Sequence, residues 1–331
     1  MISKKIFLFI ASCAGCLIAG AQTYHFSQFY STPMMVNPAN TGNTGGPYRF
    51  AANYRSQWKN EGTPYTTFIA SGDAHVLKSV MREGNTLGVG LTFLNDKSMD
   101  GLLQTNSFSL STGYHIALDE QQKIGVGFQG TYNERHIDFN SLQWENQFGN
   151  GGYDPTLPTG EQIQNGNKHY FDLSAGAMYS FAMEDKSMFA GVSMYNILKQ
   201  QESYLTEQFK TPPLLSVMAG GDIDFGFNNS LYFSGNYRKQ EKNNELTLGI
   251  AWGVFLDQTG FTSLRLGMWH RVKDAIIPYA GITYKGLQVG TSFDYTISSA
   301  KTTSQIRNTF EISVVYTGED KTELMRLIPW F

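Results

Sequence analysis

The sequence predicts an all-β fold, a transmembrane antiparallel β-barrel of the outer-membrane type with about fourteen strands. Three observations lead to this fold class. Side chains alternate in polarity along the strands, charged residues keep to one parity of those strands, and short connections alternate with long ones.

The first regular segment shows the alternation most clearly. In YRFAANYRSQW, residues 48–58, Tyr48, Phe50 and Tyr54 fall on one parity, and Arg49 and Arg55 fall on the other. A period of two residues is that of a strand with one dry and one wet face. The pattern recurs in 85–93, 107–118, 123–133, 170–181, 214–225, 231–238, 245–256, 286–297 and 308–316, and more weakly in 65–77, 187–196, 262–271 and 276–284.

Charged side chains occupy the polar parity of these segments and are essentially missing from the apolar parity. A lipid-facing Lys or Arg costs about 2–4 kcal/mol at the bilayer midplane, so this segregation is expected of a barrel wall. A soluble sandwich also exposes a polar face, and the pattern alone therefore favours the barrel without deciding for it. The charged residues on the polar parity are Asp73, Lys123, Asp172, Asp222, Asp224, Arg238, Glu245, Arg265, Asp294 and Glu311.

Connection length provides the second test. If the first strand rises from the periplasm, the even-numbered connections are periplasmic and should be short. They include MEDK at 183–186 and KG at 285–286, whereas the odd-numbered ones include residues 134–168 and 197–212. An even number of strands returns the C-terminus to the periplasm. The barrel is therefore expected over residues 48–317, with a periplasmic tail at 318–331.

The first 21 residues read as a secretory signal peptide. A basic start at Lys4 and Lys5 is followed by an apolar run and a small-x-small site at Ala19-Gly20-Ala21. Both cysteines of the chain lie in this leader, which excludes thiol chemistry from the exported protein. The net charge of −3 becomes −5 without the two leader lysines, and it argues against a nucleic-acid partner. No later apolar stretch has the ~18 residues of a membrane helix.

Motifs that could carry catalysis have structural explanations. Gly125, Gly127 and Gly130 fit a dinucleotide-binding spacing, but they lie inside an alternating strand, where glycines would leave space in the lumen. Ser111 and His115 share a face but lie ~13 Å apart along a strand, beyond the ~3 Å that a nucleophile and its base need. Asp73 and His75, on the lumen face of one strand, would bond other wall residues or a plug. We therefore predict no enzyme, no cofactor and no metal site.

Residues 22–47 precede the first strand and contain the irregular stretch FSQFYSTPMMVNPANTG. A fourteen-stranded barrel encloses more space than its wall side chains fill, and irregular backbone is tolerated at membrane depth inside a lumen. We expect this segment to fold into the lumen as a plug, with Ser27, Gln28 and Asn37 bonding the wall. Phe26, Phe29, Met34 and Met35 would then fill volume. The alternative is a disordered periplasmic lead-in.

The same stretch resembles the start of the PorP/SprF family of type IX secretion outer-membrane proteins. The resemblance departs at Thr23-Tyr24-His25 and at Thr32, and it continues through YRSQW in the first strand, FEISVVY in the last and the ending MRLIPWF. The motif residues that match are Phe26, Ser27, Gln28, Pro33, Asn37, Pro38, Ala39 and Gly42.

This resemblance implies a non-enzymatic barrel of the outer membrane that works with type IX secretion. Some members link the secretion motor to the outer membrane through a periplasmic peptidoglycan-binding lipoprotein. Others hold a secreted adhesin by its type IX C-terminal domain at the cell surface and serve gliding motility, and we favour this second role. The alternative from a different class is a plugged transport channel for small or hydrophobic solutes, which a polar inner face disfavours.

The longest predicted extracellular connection, residues 134–168, contains the candidate partner contacts Phe139, Trp144, Phe148 and Tyr153. Aromatic anchors among small polar residues suit a protein-binding surface. The same aromatics could instead pack the connection over the lumen as a lid.

Overall fold

The computed structural model describes residues 24–58, 63–77, 81–82, 84–149, 151–160, 166–200, 210–226, 228–257, 262–297 and 308–318. The predicted signal peptide lies outside these residues, as does the predicted C-terminal tail beyond Gly318. None of the helical turns in the described part of the chain has the length and apolar character needed to cross a bilayer.

Sixteen strands lie within the described residues. Fourteen of them close into one antiparallel barrel, and β6 and β7 form a separate hairpin within the connection from β5 to β8. The strands are β1 Tyr48–Gln57, β2 Tyr65–Val76, β3 Thr86–Ser98, β4 Leu103–Ala117, β5 Gln122–Ile137, β6 Phe148–Gly149, β7 Gly152–Tyr153, β8 Asn167–Ala182, β9 Lys186–Tyr195, β10 Leu214–Phe225, β11 Asn229–Gln240, β12 Asn243–Phe255, β13 Thr262–Arg271, β14 Ala275–Tyr284, β15 Leu287–Thr296 and β16 Asn308–Thr317.

Closure joins the first strand to the last. β1 pairs with β2 on one side and with β16 on the other, where Arg55 lies opposite Glu311. All other barrel neighbours are consecutive along the chain apart from β5 and β8, which flank the hairpin. The fourteen-stranded antiparallel barrel predicted from the alternation is confirmed.

The two faces of the wall follow the predicted parity. Outward side chains such as Leu91 and Phe128 are exposed, and inward ones such as Asp73, Asp222 and Glu311 are buried. The segregation of charge therefore reflects an apolar outer surface and an interior that holds the charged side chains together with a buried apolar cluster. Gly130 is an exception to the expectation that the glycines of β5 open the lumen, because it lies on the outer parity beside the Phe171 ring.

The connection expected at 134–168 is shorter than predicted. β5 continues to Ile137 and β8 begins at Asn167, so the connection spans 138–166. Glu134 pairs with His169 and His136 with Asn167 across the two strands. Side chains at 133–136 are polar on both faces. The strand therefore continues by backbone pairing where the alternation that marks it in sequence has already ended.

Candidate functional site

Residues 24–47, here called the N-terminal segment, form three short helical turns ahead of β1: Phe29–Ser31, Pro33–Val36 and Pro38–Asn40. Pro33 and Pro38 each occupy a first helical position, where the missing amide hydrogen costs nothing. Asn37 caps the third turn, since its Oδ1 accepts a hydrogen bond from the Ala39 amide at 2.9 Å. The prolines and asparagines thus set local turns that neither strand nor helix periodicity reveals.

The N-terminal segment is almost entirely buried against inward-facing side chains of the barrel. The side chains of Gln28 and Asn37 are fully enclosed. All eight residues of the family-like motif, from Phe26 to Gly42, are buried as well. Such enclosure favours hydrogen bonds between the segment's polar groups and the wall.

Glu311 on β16 holds the beginning of the segment. Its two carboxylate oxygens accept hydrogen bonds from the consecutive backbone amides of Ser27 and Gln28, at 2.7 and 3.0 Å. The Gln28 side chain is bonded at both ends, donating to Ser292 Oγ at 3.0 Å and accepting from Ser313 Oγ at 2.7 Å. Amide–carboxylate hydrogen bonds are charge-assisted and therefore among the stronger ones.

Arg55 pairs with this carboxylate and offsets its burial, and a second buried ion pair lies beside it. Arg55 lies 3.4 Å from Glu311, measured from Nε to Oε1, and also donates to the His25 carbonyl. Arg271 lies 2.9 Å from Asp294, and the Ser27 hydroxyl bonds both, at 2.6 and 2.7 Å. A buried charge is tolerated when it is paired and hydrogen-bonded. Charge pairing and segment binding thus use the same atoms.

His25 lies at the same end of the segment, with its Nε2 3.5 Å from Glu245. Burial, together with the nearby cations Arg55, Arg271 and Arg238, holds the pKa of His25 well below its usual range. The ring is therefore neutral at pH 7, and its approach to Glu245 is not an ion pair.

A row of four glycines receives the other end of the segment. Gly88, Gly113, Gly127 and Gly176 lie directly opposite one another across β3, β4, β5 and β8. A Cβ added at Gly88 would lie 2.5 Å from the Gly42 Cα. A Cβ at Gly113 would meet the Thr41 carbonyl, and one at Gly127 would meet the backbone of Pro38 and Ala39. A Cβ at Gly176 would meet the Asn37 side chain. The glycine row is thus a groove shaped to the NPANTG backbone.

Wall side chains then fix this backbone in the groove. Asp73 accepts from the Gly42 amide at 2.8 Å, and His75 Nε2 lies 2.8 Å from the Gly42 carbonyl oxygen. His115 Nε2 lies 3.0 Å from the Thr41 carbonyl oxygen. The polar side chains that could suggest catalysis in the sequence therefore all contact the segment, Ser111 through the Met34 sulfur at 3.2 Å.

Two further wall contacts were not singled out from the sequence. Arg49 binds Asp73 with two nitrogens, at 2.9 and 2.8 Å, and donates to the Asn40 carbonyl at 3.0 Å. Trp269 faces inward and packs on Tyr30, with ring centroids 5.0 Å apart. The sequence pattern that could have indicated this second contact is a tryptophan on the otherwise polar parity of β13.

The four aromatic residues proposed as partner contacts form two pairs. Phe148 and Tyr153 lie opposite each other in the β6–β7 hairpin, with ring centroids 5.3 Å apart, and both are exposed. Phe139 and Trp144 lie 6.2 Å apart and are half-buried. The hairpin thus presents an aromatic pair to solvent on the side of the long connections. Among the described residues, no three His, Cys, Asp or Glu side chains are grouped as metal ligands.

Comparison with known proteins identifies the family and the fold. The profile of the type IX secretion system membrane protein family PorP/SprF matches residues 18–316. The barrel is similar to the toluene transporter TbuX of Ralstonia pickettii, with a TM-score of 0.50, 10% identity, and coverage of 91% of this chain and 96% of that one. No individually curated protein matches significantly.

Two more solved barrels are similar to a comparable degree. The monoaromatic hydrocarbon channel CymD gives a TM-score of 0.51 at 9% identity, covering 92% of this chain and 95% of that one. The Pseudomonas putida toluene transporter TodX gives 0.50 at 9%, covering 86% and 93%. At such identities the likeness concerns the fold alone.

Proposed function

The chain belongs to the PorP/SprF family of type IX secretion system membrane proteins, and we propose that it holds a secreted adhesin-type protein at the cell surface. The family and the barrel make it a type IX barrel of the outer membrane. In our proposal it works without catalysis, is exported by its signal peptide, and takes part in gliding. The secreted partner would carry a type IX C-terminal domain.

The observation that carries this proposal is the exposed aromatic pair Phe148 and Tyr153. The pair lies on a hairpin within the connection between two long barrel strands. Exposed aromatic side chains on such a support are typical anchors for a protein partner. Their exposure supports a binding surface over a lid, in which the rings would be buried against the lumen.

The position of the N-terminal segment favours a protein-binding role over a transport channel. We propose that it plugs the lumen, since its backbone and side chains are bonded to strands on several sides of the wall. A closed lumen disfavours the alternative of a transport channel for small or hydrophobic solutes. The other role known in the family, a link to the secretion motor through a periplasmic peptidoglycan-binding lipoprotein, would use the opposite rim.

The experiment replaces Phe148 and Tyr153 together by serine in the native organism. We expect proteins with type IX C-terminal domains to move from the cell surface to the medium, measured by mass spectrometry of both fractions. Tyr284→Ser is the matched control, because Tyr284 is as exposed as Phe148, at 53%, but lies at the β14–β15 turn.

Retention of every such protein by the double variant would argue against surface anchoring. Loss of a periplasmic lipoprotein from a pull-down of the Tyr284→Ser barrel, with surface proteins retained, would favour the motor link instead. Migration on a gel before and after boiling verifies that each variant has assembled.

A further inference from the structure

A cavity of about 140 Å³ lies between the N-terminal segment and the wall. Its lining comes from the halves of β2–β5 and β8–β11 nearer the long connections, and from Tyr24 and Met35 of the segment. Asn196 and Thr211, which flank the connection between β9 and β10, complete it. The cavity is thus on the same side of the segment as the β6–β7 hairpin.

One side of the cavity is apolar. Ile69 on β2 and Leu94 on β3 lie directly opposite each other and both point inward. They pack with Phe26, and Tyr24 and Met35 lie against the same cluster. The N-terminal segment therefore contributes part of this apolar side.

The other side carries polar groups that can form further hydrogen bonds. Gln129 is 8% exposed, and its Nε2 donates to Thr131 Oγ1 at 3.2 Å. The amide oxygen of Gln129 and the hydroxyl of Thr92 have no hydrogen-bond partner among the described residues. A buried polar atom without a partner is costly, so these atoms favour a ligand that offers a hydrogen-bonding group.

Three charged side chains line the cavity, and two of them, Asp172 and Arg238, hold backbone groups. Asp172 accepts from the Leu198 amide at 3.2 Å, and Arg238 donates to the Tyr24 carbonyl at 3.0 Å. A ligand that paired with Asp172 or Arg238 would have to break these contacts, whereas a neutral hydroxyl can donate to or accept from the Gln129 amide without disturbing them.

We propose that this cavity binds one neutral aromatic ring that carries a hydroxyl group. A cavity of roughly 150 Å³ accommodates a benzene ring, so the available volume suits a phenol-sized group. The ring would pack on Ile69 and Leu94, and its hydroxyl would bond Gln129. The group could belong to a free phenol or to a tyrosine of a bound peptide. This site does not depend on the surface-anchoring proposal.

The test measures p-cresol binding to the purified full-length barrel in detergent by isothermal titration. We expect saturable binding that Leu94→Trp abolishes, because the larger side chain fills the cavity. Leu91→Trp is the matched control on the same strand, and binding should be retained there, since Leu91 faces outward. Uptake of p-cresol by the detergent is the same in both samples, so the difference in binding between the two variants reports the site.

Gln129→Leu tests the hydrogen bond separately from the volume. It should weaken p-cresol binding by about five- to tenfold, the usual worth of one hydrogen bond, and leave toluene binding unchanged. Displacement of p-cresol by the peptide Gly-Tyr-Gly would identify a protein side chain as the source, and no displacement would identify a free phenol. Equal p-cresol binding by Leu94→Trp and Leu91→Trp, or undiminished binding by Gln129→Leu, would overturn the proposal.

Discussion

Glu311 is the residue on which the start of the N-terminal segment depends most directly. It offers two oxygens to two consecutive amides, and a hydroxyl or amide side chain could not supply two charged acceptors in one group. Arg55 balances the charge. Loss of the carboxylate therefore removes two bonds to the segment and leaves a buried cation without this partner.

We expect Glu311→Ala to release the start of the segment and raise single-channel conductance in planar bilayers. Breaking one side of a buried charge pair typically costs about 3–5 kcal/mol. Asp222→Asn is the control, since Asp222 is equally buried and bonds Ser187 of the wall. If both variants conduct like the parent barrel, the segment is held without this carboxylate.

At the scale of the strand, a residue's position along β5 decides which face of the wall it occupies. Gly127 and Gly130 lie three residues apart on β5, yet Gly127 faces the segment and Gly130 faces outward. Gly127→Ala places a methyl group against the backbone of Pro38 and Ala39, and overpacking of this kind typically costs about 1–3 kcal/mol.

We therefore expect Gly127→Ala to displace the segment while the barrel still assembles. A cysteine introduced at Ala39, fully buried in the parent, should then react with a water-soluble maleimide. Gly130→Ala serves as the control, because its new methyl group lies closest to the Phe171 ring, which can move outward. Equal labelling of the two variants would mean that the row does not bind the segment.

The outer parity of β12 can be tested in the same way. Leu248 and Ile250 face outward, and Thr247 is buried inside. Arginine at either outward position should lower refolding yield into lipid vesicles, with a cost of about 2–4 kcal/mol near the midplane. Arginine at Thr247 should be tolerated better, and similar yields at all three positions would be inconsistent with this orientation.

At the scale of the whole molecule, closure removes every free strand edge of the barrel. β1 is paired on both sides, and the sheet therefore offers no edge for detergent or another chain to pair with. We expect the unboiled protein to migrate differently from the boiled protein on a detergent gel. Identical migration, with extraction from membranes by carbonate, would contradict a closed barrel.

Much of this architecture could be predicted because strand alternation is a local property. A residue's parity on β1 or β12 follows from its neighbours in sequence, and lipid on one side enforces the pattern. The additional residues by which β5 and β8 extend, near Glu134 and His169, could not be predicted. They are held by pairing between strands whose side chains are polar on both faces.

The sequence by itself determined the fold class, the two faces of the wall and the local turns at Pro33, Asn37 and Pro38. Only the tertiary structure decided what those turns bind. Ser27 and Glu311 are 284 residues apart and meet because the last strand closes on the first. Gly88 and Gly176 belong to one groove because register aligns four strands. Closure and register depend on the pairing of distant strands, and no local pattern along the chain encodes them.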